Sequence, residues 1–250
     1  KRQAGSQAIH FKRGSIKPWP PYLPKITIMA EFDRYAENYN QGIEQSIAMS
    51  GEAASYFADY KARIIAQRVA SETTVKILDF GCGVGNVSAA LRRFLPQATL
   101  HGYDPSSASI ERACGEPGLN AFFTTDMDAL DGAYDVILMA GVMHHIAPEQ
   151  RDGVLKSIVE RLAPQGQLVI FEHNPLNPLT RRVVDARPYD KDAILLSASE
   201  TLSRLTAAGL NSLRRDYIVF FPRFLSFARF LEHHLGWCPL GAQYVVIGRK

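Results

Sequence analysis

Cysteine is scarce in this 250-residue sequence, and long apolar runs are absent. Cys82, Cys114 and Cys238 are an odd number without paired ligand spacing, which indicates neither a disulfide framework nor a zinc site. No apolar run reaches the roughly 20 residues that a membrane-spanning helix needs. These absences predict a protein of a reducing, cytoplasmic setting without a membrane span. At 46% hydrophobic residues, the chain can bury the core of one α/β domain.

Acidic residues are missing from residues 1–28, which hold six basic ones, so the rest of the chain is acidic on balance. Four prolines and the lack of any helical or strand period predict a disordered basic tail there. Met29-Ala30-Glu31-Phe32 resembles a natural start, so we expect an added or upstream extension before it or, alternatively, a basic targeting segment. A nucleic-acid partner is not expected, because the folded part lacks the basic excess.

A complete dinucleotide-binding fingerprint is also lacking. Val75–Phe80 form an apolar run typical of a central parallel strand, and residues 81–85 then hold three glycines at alternate positions. Such a turn lets the backbone approach a ligand closely. The dinucleotide fingerprint needs a further glycine where Asn86 stands. Asp79 at the strand end would face a pyrophosphate unfavourably, but it would suit an ammonium group.

The rest of the chain alternates strands and helices, which predicts a parallel α/β sheet. Asp104 follows the second strand, where a carboxylate can accept both hydroxyls of a ribose, and Asp126 follows the third. The predicted strands are 75–80, 98–103, 120–125, 134–140, 167–171, 211–221 and 241–249. The predicted helices include 51–70, 86–95 and 199–208.

In order and spacing, these motifs resemble the class I S-adenosylmethionine-dependent methyltransferases from about Phe32 to the C terminus. The resemblance implies S-adenosylmethionine as the cofactor, with Asp79 near its ammonium, Asp104 on its ribose, and Asp126 and Met127 at its adenine edge. The full set of cofactor contacts that it implies is Asp79, Gly81, Cys82, Gly83, Asp104, Pro105, Asp126, Met127 and Ala140.

The resemblance also implies the architecture. We expect a doubly wound, mostly parallel seven-stranded sheet with an antiparallel C-terminal strand and a helical N-terminal lid. The methyltransferase domain would cover residues 29–250, following the tail. Its expected parts are the lid at 29–70, the cofactor-binding core at 75–173, and a substrate-side, sheet-closing part at 174–250.

Candidate proton acceptors follow the fourth and fifth strands, at the edge where a substrate should lie. They are His145, His144, Glu172 and His173. Histidine is the most suitable general base near neutral pH. We expect only one of the adjacent histidines to reach the pocket, and a structural role for either remains open. Adjacent residues point apart and no carboxylate cluster accompanies them, so no metal site is predicted.

Tyrosines and polar residues around the same edge are candidate substrate contacts, namely Tyr35, Tyr39, Tyr60, Asn174 and Arg181. For Tyr60 the alternative is a core-facing helix stripe, and for Arg181 it is a solvated helix charge. A C-terminal segment carries Phe224, Phe227, Leu231 and Leu235. We expect this segment to cover the sheet, or else to form an apolar substrate wall or a homodimer face.

The expected function is methyl transfer from S-adenosylmethionine to an oxygen, nitrogen or carbon nucleophile of a small molecule. The alternative from another class is a catalytically silent methyltransferase-like scaffold that has kept the fold. The displacement needs alignment above all, so a conspicuous general base is optional.

Overall fold

The computed structural model describes residues 50–69, 74–187 and 190–250. The strands are β1 Lys76–Phe80, β2 Thr99–Tyr103, β3 Phe122–Thr124, β4 Tyr134–Ala140, β5 Leu162–His173, β6 Asn211–Ile218 and β7 Gln243–Arg249. The α-helices are α1 Ala54–Ala66, α2 Asn86–Phe94, α3 Ser107–Cys114, α4 Arg151–Glu160, α5 Pro178–Asp185 and α6 Ala198–Ala207. Turns of 3-10 helix cover Met127–Ala129, Met143–His145 and Arg223–His234.

All the strands belong to one seven-stranded sheet in the order β3-β2-β1-β4-β5-β7-β6. Neighbouring strands from β3 to β5 pair in parallel, whereas β7 is antiparallel to both β5 and β6. The predicted doubly wound sheet with an antiparallel C-terminal strand is therefore confirmed. The order reverses between β1 and β4, and in open α/β sheets this point leaves a ligand crevice at the carboxyl ends of the strands.

The central strands are buried on both faces, as their continuous apolar runs predict. Ile77 of β1 packs into one hydrophobic cluster, whereas Leu78 and Phe80 pack into the other, on the opposite face of the sheet. β4 divides its side chains in the same way, with Val136 in the first cluster and Ile137 in the second. This two-sided burial fixes the register of β1, and so it fixes where the glycine loop begins.

Several element boundaries differ from those predicted. β5 begins at Leu162 rather than at residue 167, and Leu162 pairs with Tyr134 ahead of a register shift. β6 ends at Ile218 rather than at residue 221, because Val219 has a φ of 61°, a left-handed conformation that interrupts the strand. α1 occupies the middle of the predicted helix 51–70.

The expected basic tail and most of the expected lid lie outside the described residues. The aromatic C-terminal segment forms the 3-10 helix Arg223–His234, and none of its residues is buried. The expectation that its aromatic side chains cover the sheet is therefore wrong, since Phe224 and Phe227 are exposed. Among the described helices, none has the length and apolar character that crossing a bilayer requires.

Candidate active site

A cavity opens at the carboxyl ends of β1, β2, β4 and β5, where the sheet order reverses. The glycine loop after β1 lines one side, the histidine segment after β4 lines another, and α1 forms a wall. The residues used below that line this cavity are Phe57, Lys61, Asp79, Gly81, Cys82, Gly83, Asp104, Pro105, Ala140, His144, His145, His173, Arg187 and Asp190. The cavity thus joins the predicted cofactor end to the predicted catalytic end.

The glycine loop needs glycine for two separate reasons. Gly81 has a φ of 77°, and a Cβ added there would lie 2.5 Å from Cγ2 of Val142. Gly83 has a φ of 51°, and a Cβ there would meet nothing within 4 Å, because the residue borders the open cavity. The amide of Gly81 donates to the carbonyl of Tyr103 at 2.7 Å, which ties the loop to the end of β2. The loop therefore presents bare backbone to a ligand.

Two carboxylates stand beside this loop. Asp79 is buried, accepts a hydrogen bond from Ser88 Oγ at 2.7 Å, and has its pKa raised to about 7 by burial and by the charge of Asp104. Asp104 accepts from the amide of Gly83 at 2.8 Å and from the amide of Ser106 at 2.9 Å. A cationic ligand group near Asp79 would restore its carboxylate form, since an opposite charge lowers an acid's pKa.

Only some of the other predicted cofactor contacts line the cavity. Cys82, Pro105 and Ala140 line the cavity. Asp126 is exposed and does not line it, and its Oδ1 accepts from the amide of Asp128 at the start of a 3-10 turn. Met127 is buried in the core. The adenine role of Asp126 and Met127 therefore stays a prediction, which the cavity lining does not support.

His144, which lines the cavity, and Glu172, which does not, form a buried pair. His144 Nδ1 lies 2.5 Å from Glu172 Oε2, while Glu172 Oε1 accepts from the amides of Val142 and Met143 at 3.0 and 2.7 Å. Although burial opposes it, the charge of Glu172 and contact with Asp190 raise the pKa of His144 to about 9. Both oxygens of Glu172 are thus engaged and the residue lies outside the cavity lining, which suits a positioning role, and its catalytic role stays a prediction.

Both adjacent histidines reach the same acid, contrary to the expectation that only one faces the pocket. His144 Nε2 and His145 Nε2 lie 3.7 and 3.4 Å from Asp190 Oδ1, with ring centroids 4.1 Å apart. They do so because residues 143–145 form a 3-10 turn rather than an extended segment. Burial and the neighbouring His144 charge hold the pKa of His145 below its usual range, despite the hydrogen bond to Asp190.

His173 also lines the cavity, and it accepts a hydrogen bond at Nε2 from Arg187 Nη1 at 3.2 Å. Burial and the charges of His144 and Arg187 lower the pKa of His173 to about 3. His144, His173 and Asp190 bring potential metal-ligand atoms within 4.8 Å of one another. Arg187 Nη1, however, also lies 3.3 Å from Asp190 Oδ2. Its guanidinium already supplies a cation within this cluster, so the geometry does not call for a metal ion.

The predicted substrate contacts lie mostly elsewhere. Asn174 is buried, and its Nδ2 donates to the carbonyls of Pro239 and Gly241 at 2.9 and 2.8 Å, so it fastens one loop to another. Tyr60 donates to Glu232 Oε2 at 2.9 Å on the side of α1 away from the cavity lining, and Arg181 is exposed on α5. None of these three residues lines the cavity, so their role as substrate contacts stays a prediction that the cavity lining does not support. Tyr35 and Tyr39 lie outside the described residues.

Three charged residues of the cavity escaped sequence reasoning, namely Lys61, Arg187 and Asp190. Lys61 interrupts the apolar side of α1, because Ala58, Ala62 and Ile65 around it are buried. A lysine on the apolar side of a helix is a signal from which Lys61 could have been predicted as a functional residue. Asp190 and Arg187 belong to the irregular connection after α5, where no periodic pattern marks them.

Residues 78–168 match the family model described as "Methyltransferase domain". This stretch of the chain is therefore similar to a methyltransferase domain. The match begins within β1 and ends within β5, so it covers the elements that carry the glycine loop, Asp104 and both histidines of the β4 loop.

Curated relatives are similar to this chain over part of their length. Trans-aconitate 2-methyltransferase of Deinococcus radiodurans is 30% identical over 96 residues, covering 38% of this chain and 36% of the relative. Carboxy-S-adenosyl-L-methionine synthase of Shewanella pealeana is 28% identical over 151 residues, covering 56% of this chain and 59% of the relative. The chain thus spans less than two thirds of either relative.

Solved structures share the methyltransferase fold at low sequence identity. An S-adenosylmethionine-dependent methyltransferase of Thermotoga maritima, described as a possible histamine N-methyltransferase, has a TM-score of 0.64 and 18% identity, covering 89% of this chain and 99% of its own. The plantazolicin methyltransferase, solved in complex with SAH, has a TM-score of 0.57 and 21% identity, covering 91% and 96%.

Proposed function

We propose that the protein transfers the methyl group of S-adenosylmethionine to an oxygen, nitrogen or carbon nucleophile of a small molecule. The observation that supports this best is the single cavity shared by the glycine loop and the His145–Asp190 pair. When bound, S-adenosylmethionine supplies a methyl group activated by its sulfonium. Every other requirement, from orientation to proton removal, falls to residues of this chain.

The cofactor end has groups of fitting chemistry. The open space at Gly83 accepts a ligand against bare backbone, and Asp104, held by two amides, can accept hydrogen bonds from ribose hydroxyls. Asp79 suits an ammonium group. Lys61 has no hydrogen-bond acceptor among the described residues and packs its ammonium 5.9 Å from the centre of the Phe171 ring, so it can bind a carboxylate.

At the other end, His145 is the residue we assign as proton acceptor. Its lowered pKa keeps the imidazole neutral near pH 7, and Asp190 orients the ring from 3.4 Å. With Nε2–H directed at Asp190, the proton of the nucleophile goes to the other ring nitrogen, and the Asp190 carboxylate stabilises the resulting imidazolium. His144 and Glu172 position the loop that carries His145.

The test is incubation of the full chain with methyl-labelled S-adenosylmethionine and fractionated small-molecule extract, followed by mass spectrometry of labelled products. We expect one fraction to yield a labelled product. Its rate of formation should fall by about 10²-fold or more in His145→Gln, whereas cofactor affinity should stay unchanged. Cofactor binding without a labelled product in any fraction would contradict the proposal and would favour the scaffold alternative.

A further inference from the structure

Large aromatic side chains stand exposed on the segment between β6 and β7. Phe224 and Phe227 are each 74% exposed, Phe230 is 68% exposed and Trp237 is 73% exposed. These four residues are called the aromatic face below. None of them lines the cavity, and no aromatic ring among the described residues stacks on them. The aromatic face is therefore not part of the site described above.

The backbone places two of these rings on one side of the segment. Arg223–His234 is a 3-10 helix with a kink at Leu225, and no residue in it is buried. Residues three apart share one side of a 3-10 helix, so Phe227 and Phe230 lie on the same side after the kink. A monomeric protein in water rarely keeps such rings exposed without using them.

The charged residues of the segment that carries the aromatic face differ in exposure. Glu232 is the one acidic residue between residues 217 and 242. Its carboxylate turns inward, where it accepts from Tyr60 Oη at 2.9 Å and from the amides of Phe220 and Phe221 at 3.0 and 3.1 Å. Arg223 is exposed beside the rings. The surface of this segment thus presents aromatic rings and the exposed guanidinium of Arg223, with no exposed carboxylate of its own, while Arg229 is paired with Glu52.

The segment is fixed against the wall of the cavity. Arg229 pairs with Glu52, and its guanidinium lies 4.5 Å from the centre of the Tyr56 ring. Tyr56 and Tyr60 of α1 thus hold the segment, whereas Phe57 and Lys61 of the same helix line the cavity. Helix α1 thus contacts the segment on one side and lines the cavity on another.

We infer that the aromatic face docks on an anionic lipid surface. Aromatic side chains are favoured at the level of lipid headgroups, and Arg or Lys beside them is attracted to anionic lipids. The aromatic face meets the first requirement and the neighbouring Arg223 meets the second. Glu232 turns its carboxylate inward, away from the negative charge of such a surface. A protein that docks in this way lies on the membrane surface and needs no membrane-spanning helix.

The test is flotation of the full chain with phosphatidylcholine vesicles that do or do not contain about one third phosphatidylglycerol. We expect binding to the anionic vesicles that weakens in high salt. The double variant Phe227→Ser/Phe230→Ser should lower the partition coefficient roughly tenfold or more, since two rings no longer leave water. Arg223→Glu should weaken binding to the anionic vesicles alone. Phe122→Ser is the matched control, because this ring is 45% exposed on β3 at the opposite edge of the sheet.

Several results would overturn the inference. These are absence of binding to anionic vesicles, or equal binding by the wild type and the double variant. A wild-type dimer that the double variant dissociates, without vesicle binding, would make a second copy of the chain the partner instead. Calorimetry with S-adenosylmethionine on the same samples separates this question from the proposed function, because vesicle flotation needs no cofactor. Equal thermal midpoints of the variants would show that their fold is intact.

Discussion

The carboxylate of Asp104 accepts a hydrogen bond from the amide of Gly83, with 2.8 Å between Oδ2 and N. The two residues follow neighbouring parallel strands, β2 and β1. This bond joins the glycine loop to the acid that is expected to bind ribose, while the amide of Ser106 holds the other oxygen at 2.9 Å. The glycine loop and Asp104 are therefore both positioned before a ligand binds, which lowers the entropic cost of binding.

Gly83→Ala should weaken S-adenosylmethionine binding about tenfold or more, because the added methyl group enters the open space of the cavity. It should also cost about 1 kcal/mol of stability, since the φ is positive. Gly118→Ala is the matched control, as Gly118 has a φ of 74° and likewise has nothing within 4 Å. The control should show a similar stability loss and unchanged affinity in calorimetry. Equal affinities of the two variants would remove Gly83 from the cofactor site.

The rate of methyl transfer should depend on pH through His145. Its pKa lies below the usual 6.5, so kcat/KM should rise with pH below about 6.5 and level off above it, as the imidazole becomes neutral. His145→Gln should lower kcat/KM and lose this rise. The measurement is a pH profile with the acceptor that the labelling experiment identifies. A variant that keeps the wild-type profile would show that another group takes the proton.

The buried His144–Glu172 pair should make stability depend on pH. The folded-state pKa of about 9 lies above the ordinary 6.5, so the stabilisation is complete below about pH 6.5 and is lost as pH rises through 9. Its size is on the order of 3 kcal/mol. The free energy of unfolding of His144→Asn should therefore lie further below that of the wild type at about pH 6 than at about pH 10. Denaturant unfolding at both pH values measures this, and a deficit that stays constant with pH would contradict it.

Asn174 should affect stability and leave cofactor affinity unchanged. Asn174→Ala leaves two carbonyl groups, those of Pro239 and Gly241, without their donor, which should cost about 2 to 4 kcal/mol of unfolding free energy. Asn177→Ala, which removes a partly buried helix cap and a donor to the carbonyl of Leu240, should cost less, about 1 to 2 kcal/mol. Unfolding and calorimetry on both variants compare the two effects. If Asn174→Ala kept full stability but raised KM for the acceptor, the substrate role predicted from the sequence would be restored.

The cofactor end could be predicted because its signals are local. A buried strand, three alternate glycines and an acid at each strand end occupy short stretches, and parallel pairing brings those strand ends to one edge. The same reasoning did not predict the orientation of Asp126, because the segment after a three-residue edge strand can turn its side chain outward.

The catalytic end could be predicted only in part, because distant segments build it. His145 and His173 were readable as polar residues at strand ends, but Asp190 reaches them from an irregular connection. Glu172 and Asn174 stood at the right edge, and yet both turn inward to satisfy buried backbone groups. Orientation of that kind depends on tertiary contacts that sequence spacing does not carry.

The most direct test of the account is calorimetric titration of S-adenosylmethionine into the wild-type chain and into Asp104→Ala. Loss of the carboxylate removes the predicted acceptor of the ribose hydroxyls and frees the amide of Gly83. We predict binding to the wild type and affinity lower by about tenfold or more in the variant. No binding to the wild type, or equal affinity of the two proteins, would contradict the central claim.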